Sequence, residues 1–242
     1  MESIKTVALT KKYKDLTAVD SLSLTVQKGE LISLLGVNGA GKSTTIKMLS
    51  CLTHPTSGDA FINGKSILSD PDYAKSVIAV SPQETAIACG LNVRENLELI
   101  CGIYGLRGDE RSQKITDISA RLGLNQVLDR KAGKLSGGWQ RRLSIAMALI
   151  SEPDILFLDE PTLGLDVIAR SELWDLIRSL KGRVTVLLTT HYMEEAESLS
   201  DRVAIMQNGR LILCDTPCRI VQNSGCDSFE KAFIKIVREG SK

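Results

Sequence analysis

The sequence predicts an α/β fold: a mostly parallel core sheet, an antiparallel β subdomain on its N-terminal side, and a helical subdomain inserted in the core. Three observations carry this. The apolar run Leu31-Ile32-Ser33-Leu34-Leu35 feeds a glycine-rich loop and then a helix-like stretch, Thr45-Ile46-Lys47-Met48-Leu49. Two further apolar runs, at 155–158 and 184–189, end in Asp159-Glu160 and in Thr190-His191, and ligands of open parallel sheets gather at strand C-termini. Between Gln83 and Leu124 the pattern is helical, with no strand. With 242 residues there is room for one large domain with its own core, and two would be crowded. The expected organisation is a single domain over 1–242, its helical insert at about 84–150 and a C-terminal helical extension at 214–242.

Val7-Ala8-Leu9-Thr10 and Leu22-Ser23-Leu24-Thr25-Val26 read as strands, the second by its period-two alternation. Ala60-Phe61-Ile62 followed by Asn63-Gly64 is a strong hairpin signal, which is the basis for the antiparallel element. Tyr13 lies in this region, where an aromatic ring is either a base-stacking platform or ordinary core or surface.

The loop Gly36-Val37-Asn38-Gly39-Ala40-Gly41-Lys42-Ser43-Thr44 fits G-x-x-x-x-G-K-[ST] in the required strand–loop–helix context. Glycines let backbone N–H groups face phosphate oxygens, and the helix N-terminus adds positive partial charge. Lys42 is assigned to the β/γ-phosphates and the Ser43 hydroxyl to Mg²⁺.

Val77-Ile78-Ala79-Val80 runs into Ser81-Pro82-Gln83, placing Gln83 at a strand end. Asn92, with Glu95 three residues on, opens a helix that should stop near Gly102 or Gly105, and a second helix runs from Asp109 to Leu122 with Gly123 as its stop. Ser136 is placed as the N-cap of a helix over 139–149, with Gly137 and Gly138 exposing N–H groups at its start. That is either an ordinary capped helix or a second anion site.

Asp159 and Glu160 close a buried strand, and alternation points them to opposite sides. Asp159 suits Mg²⁺, directly or through water, and Glu160 suits a base that polarises water toward a γ-phosphate. Leu163-Gly164-Leu165-Asp166 turns the chain into a helix over 169–180, and His191 ends the next strand. The segment 203–213 reads as a hairpin turning at Asn208-Gly209; Thr216-Pro217 caps a short helix, and Phe229, Phe233 and Ile236 mark one face of a final amphipathic helix.

Composition narrows the partners. Lys and Arg number 30 against 29 Asp and Glu, a net charge of +1, so no nucleic-acid partner is expected. Six cysteines without a CxxC pair read as free thiols of a reducing cytosol. No stretch reaches the roughly 18 apolar residues of a membrane span, and the N-terminus lacks a signal layout. Membrane association is therefore expected to come through a partner.

Taken in order, these stretches resemble an ABC-transporter ATP-binding subunit over about residues 7–213, with Leu135-Ser136-Gly137-Gly138 as the diagnostic signature. The resemblance implies the P-loop NTPase fold of ABC ATPases, with 36–44 as Walker A and 155–159 as Walker B. It implies Glu160 as the catalytic carboxylate, Gln83 as the Q-loop residue, which also serves the metal, and His191 as the switch histidine. Tyr13 becomes the adenine-stacking aromatic and 163–166 the D-loop that brings Asp166 to nucleotide. Two such subunits, identical or different, pair head to tail. Ser136, Gly137 and Gly138 of one chain then cover the γ-phosphate of ATP held by Gly39, Lys42 and Ser43 of the other, with Mg²⁺ as cofactor. One departure is Trp139, where the signature usually has Gln; the glutamine follows as Gln140. The stretches 81–85 and 190–196 resemble the drug- and lipid-exporting (ABC-2 type) branch.

The function implied is ATP hydrolysis that powers export of a hydrophobic compound through a separate integral membrane permease, the chain lying on the cytoplasmic face of the cell membrane. The permease is expected to dock on 83–108, with Ile87, Leu91 and Tyr104 as contacts. A soluble ABC ATPase acting on ribosomes or DNA is disfavoured by the single cassette and the near-zero charge. A P-loop GTPase or small-molecule kinase is disfavoured by the signature and by the lack of NKxD. Intact Asp159, Glu160 and His191 speak against a non-hydrolytic subunit, while import remains an alternative direction.

Overall fold

The N-terminal strands wrap one long strand. In the computed structural model, which describes residues 1–240, β1 (Glu2–Tyr13) takes β2 (Leu16–Leu22) along its far half and β3 (Thr25–Gln27) along its near half, both antiparallel. The alternating run 22–26 is therefore two strand ends rather than one strand. At the break the hydroxyls of Ser23 and Thr6 accept the N–H groups of Ala8 and Leu24, so side chains replace ladder bonds where Ala8 and Ser21 adopt positive φ.

The chain then enters β4 (Leu31–Leu35) and α1 (Lys42–Leu49) before returning to the first sheet as β5 (Ser57–Ile62) and β6 (Lys65–Ser66). Asn63 and Gly64, both with positive φ, make the turn between β5 and β6. The antiparallel sheet has the order β2-β1-β5-β6, with β3 beside β1.

Next come α2 (Pro71–Val77) and β7 (Ile78–Ser81), then α3 (Val93–Ile103), α4 (Gly108–Arg121), two single 3₁₀ turns and α5 (Gly137–Leu149). Asn92 and Glu95 form the reciprocal capping box at the start of α3. Gly123, at φ 67°, follows α4. The helix α2 was not legible in the sequence, since only Ala74 in it is buried and it carries no apolar stripe.

β8 (Ile155–Asp159), α6 (Val167–Arg178), β9 (Thr185–Thr190), α7 (Met193–Leu199), β10 (Arg202–Gln207), β11 (Arg210–Asp215), α8 (Pro217–Ser224) and α9 (Phe229–Glu239) complete the fold. The core sheet runs β11-β10-β4-β9-β8-β7; only β11 is antiparallel. Every residue of β4, β8 and β9 is buried, as befits inner parallel strands covered on both faces. One face packs against the first sheet through Ile32, Leu34, Phe157 and Leu187, and the other packs on α3 to α6 through Leu31, Leu156, Leu158 and Leu188. Phe229 and Phe233 of α9 are buried in a third cluster with Leu35 and Val203.

The strand order decides where chemistry collects. β4, β9 and β8 are neighbours, so the loop at 36–41, the 190–191 segment and the Asp159-Glu160 pair leave the sheet at one edge although they are far apart in sequence.

Candidate functional site

The loop after β4 is held from three sides. Gly36 N–H donates to Thr190 O of β9, Ala40 O accepts from Gly209 N, and a Cβ on Gly36 would meet Met206 O at 2.4 Å. Gly41 has φ 99° and would press a Cβ to 2.4 Å from Ala18 O, so both its conformation and its surroundings require glycine. Gly39, at φ 83°, has open space around it, which leaves backbone free for a ligand's approach.

This loop floors a cleft of about 730 Å³. Asn38, Gly39, Ala40, Gly41, Lys42, Ser43 and Thr44 line it with Tyr13, Gln83, Glu160 and His191. Tyr13 stands half exposed at the rim, with Lys11 Nζ 5.0 Å from its ring centre. Leu16, Thr17 and Ala18 add wall that sequence reasoning did not name, joined by Leu163 of the 163–166 turn and Asn208 of the hairpin turn.

Lys42 is buried. Its Nζ donates to Gly36 O at 2.8 Å and lies 3.3 Å from Glu160 Oε1. Glu160 Oε2 is in turn 2.8 Å from His191 Nδ1, so one carboxylate bridges a cation and an imidazole. Ser43 Oγ donates to Asp159 Oδ1 at 2.9 Å, and Thr189 Oγ1 donates to the same oxygen at 2.5 Å.

The alternation rule failed at the end of β8. Both acids reach the start of α1, Asp159 at Ser43 and Glu160 at Lys42, because Glu160 leaves the strand with φ 49°. A non-glycine residue there costs on the order of 1–3 kcal/mol and persists only where its surroundings enforce it. Here Glu160 N–H donates to the Thr189 hydroxyl at 3.0 Å, and Lys42 and His191 hold the other end.

Thr189 is thus a hub that the sequence did not announce, since a threonine on a β-branched strand needs no further reason. Arg141 was missed as well. Buried on α5, it donates to Pro82 O and Gln83 O, both at 2.7 Å, and burial lowers its pKa from the usual guanidinium value, against a modest pull from Asp159. The backbone of Gln83 is therefore gripped by α5, the helix that opens with Ser136-Gly137-Gly138.

Those three residues stand elsewhere. Ser136 and Gly137 are exposed at the start of α5, and none of Ser136, Gly137 and Gly138 lines the cleft. Ser136 holds the N-cap position expected from the sequence, but its side chain makes no capping bond. Asp166 also lies outside the cleft, where its carboxylate caps α6 by accepting Ala169 N–H at 2.9 Å. Gly138 packs close to Ala169, a Cβ there reaching 3.0 Å, so the starts of α5 and α6 share one surface, extended by exposed Val167 and Ile168.

A glycine-rich loop opening a helix, with a buried lysine, beside a hydroxyl–carboxylate pair and a carboxylate–imidazole pair, is an arrangement for binding and cleaving a polyphosphate. The ABC transporter family model matches residues 19–163, more than half of the chain. The chain belongs to the ABC transporter family. Residues 19–163 carry its ATP-binding domain, of the ABC ATPase class.

Over 246 aligned residues the cassette is 40% identical to a probable multidrug ABC transporter ATP-binding protein, YbhF of Escherichia coli (strain K12). That alignment covers 99% of this chain and 42% of the relative, so the chain spans less than half of that protein. Nod factor export ATP-binding protein I of Burkholderia lata is 42% identical over 91% of this chain and 73% of its own length. Among solved structures, an ATP-binding subunit of an ABC transporter superposes with a TM-score of 0.84 at 28% identity, covering 96% of this chain and 98% of that one. A dimeric ATP-binding cassette in a post-hydrolysis state, bound to ADP and Pi, superposes with a TM-score of 0.78 at 28% identity, covering 88% and 98%. Among the described residues no helix of this cassette is long and apolar enough to cross a membrane.

Proposed function

We propose that this cassette binds ATP with Mg²⁺, hydrolyses it, and so powers export of a hydrophobic compound through a separate integral membrane permease. The observation that carries the reading is Glu160 held between Lys42 Nζ and His191 Nδ1 at the mouth of the loop. The export direction rests on the names of the relatives, a multidrug protein and a Nod factor exporter.

In this reading the γ-phosphate lies over the N–H groups of 39–43, and Lys42 turns from Glu160 to the phosphate oxygens. A water attacks phosphorus, the bond to the β-bridging oxygen breaks, and the Glu160 carboxylate takes the water's proton. His191 fixes the direction of that carboxylate. Ser43 Oγ and Asp159 Oδ1, 2.9 Å apart, are hard oxygen donors that fit Mg²⁺. Such an ion takes its remaining ligands from phosphate and water, so the lack of any cluster of three or more metal-binding side chains among the described residues is compatible with it. Bound there, Mg²⁺ would offset charge on the phosphates; Gln83 at the rim is a further candidate ligand.

The exposed Ser136 and Gly137 and the half-buried Gly138, with the Asp166 turn beside them, would cover the γ-phosphate of a second ATP-binding subunit packed head to tail. The Arg141 grip on Gln83 supports this, since it joins that surface to the chain's own cleft. Contacts to the γ-phosphate exist in the closed pair and vanish on hydrolysis, which gives ATP differential affinity for the two states. His191→Ala is expected to lower turnover at least about tenfold, toward the scale of general acid–base contributions, with ATP affinity nearly unchanged. Steady-state kinetics beside equilibrium nucleotide binding would check this, and unchanged turnover would remove His191 from the mechanism.

For the permease, the best-supported surface is a groove of about 390 Å³ between α3, β7 and α5, rimmed by Leu52, Ile100, Ile103 and Tyr104. Ile103 and Tyr104 are 70% and 53% exposed. Ile87 and Leu91 are partly buried, Ile87 against the core, so of the three contacts expected from sequence only Tyr104 is open. A photo-crosslinker attached through Tyr104→Cys should capture an integral membrane protein in native membranes and place the cassette on their cytoplasmic face. Labelling of no membrane protein would overturn the docking assignment.

A further inference from the structure

The short helix that follows His191 hides an acid. Glu194-Glu195 reads as a solvated acidic pair, yet Glu195 is fully buried. Its Oε1 accepts the Thr162 hydroxyl at 2.9 Å and the Trp174 indole N–H at 3.0 Å. Its Oε2 is equally buried, with no hydrogen bond of good geometry. Burial pushes the carboxyl above the ordinary range; hydrogen bonding from Thr190, Thr162 and Trp174 opposes the rise, and the charge of Glu160 adds to it. A buried acid is a standing cost to folding, and nothing in nucleotide binding explains it, since Glu195 does not line the cleft.

Its partners explain it. Thr162 is two residues beyond Glu160, across Pro161, and Glu195 itself is four residues beyond His191 on α7. Trp174 brings in α6. On the His191 side, Tyr192 N–H donates to the Thr190 hydroxyl at 2.9 Å, which tightens the turn between β9 and α7. One carboxyl therefore joins the turn after the acid to the helix after the histidine. Glu160 needs such outside restraint, because its left-handed backbone is unfavourable by itself.

We propose that Glu195 is a positioning residue for the Glu160–His191 contact, a buried tie that fixes the distance between the two segments that carry them. This rests on the hydrolytic reading above. In the full chain, Glu195→Ala should lower kcat at least tenfold while KM for ATP stays within twofold. Glu195→Gln, whose amide oxygen still accepts from Thr162 and Trp174, should keep kcat within threefold of wild type. With only two histidines in the chain, the imidazole ¹⁵N spectrum is simple. His191 signals should move in Glu195→Ala and return in Glu195→Gln, with exposed His54 as the internal reference. If Glu195→Ala does not fold, Thr162→Val removes the same tie from its other end and should show the same split.

Wild-type kcat in a folded Glu195→Ala or Thr162→Val protein, or unmoved His191 signals, would overturn the assignment. Equal loss in the Gln and Ala variants would overturn it too, by showing that the ionisable proton rather than the tie is needed. The hydrolytic reading is judged separately, by wild-type turnover and its loss in Glu160→Gln. No turnover in wild type removes both, whereas turnover insensitive to Glu195 removes this inference alone.

Discussion

Glu160→Gln should bind ATP, lose turnover by about two to four orders of magnitude, and accumulate as an ATP-bound dimer. The size follows from what a positioned general base contributes. Shape is kept, because an amide fits the same space and still hydrogen-bonds to His191. The substitution also changes the Lys42 balance. In the wild-type chain a phosphate must compete with the Glu160 carboxylate, 3.3 Å from Lys42 Nζ; with glutamine that competitor is neutral. ATP should therefore bind the variant at least as tightly as wild type while the route to ADP is closed. Single-turnover hydrolysis and size-exclusion chromatography with ATP and Mg²⁺ test both halves, and near-wild-type turnover would remove Glu160 from the role of base.

Lys42→Ala should act on binding. Lys42 is buried, with Gly36 O, Val37 O and the Glu160 carboxylate as partners of its ammonium group. Truncating one partner of a buried ion pair costs about 3–5 kcal/mol because the other charge is left unpaired. The variant loses charge-assisted bonds to phosphate as well, about 1.5–3 kcal/mol each. ATP affinity should drop at least about a hundredfold, and part of the pair's cost should appear as a lower melting temperature even without nucleotide. Titration calorimetry and thermal unfolding would report the two separately. Undiminished affinity would place the triphosphate elsewhere.

What the sequence made legible was whatever sits at the end of an apolar run. Lys42, Ser43, Asp159, Glu160 and His191 each follow a buried strand or its loop, and parallel neighbours bring strand ends together. The antiparallel hairpin was visible for a similar reason: Asn63-Gly64 supplies two positive-φ residues where a two-residue turn needs them. Thr189, Arg141 and Glu195 gave no such signal. A threonine suits any strand, an arginine on a helix reads as surface, and one of two adjacent glutamates reads as solvated charge. Their roles arise only from which elements pack on them. The direction of Glu160 was misread because alternation assumes that the strand continues, and its backbone breaks that assumption at φ 49°.

The order of strands has a consequence for how the site comes into being. β4, which carries the phosphate loop, pairs with β9 and β10 and with neither neighbour in the chain. Leu31 meets Val186, and Ile32 meets Arg202. During synthesis the loop leaves the ribosome before the partners of its strand, which follow only after about 150 further residues. Contacts of such sequence separation form late and leave strand edges open meanwhile. The cleft thus has no half-built version, and a chain that grips a triphosphate has already closed its central sheet.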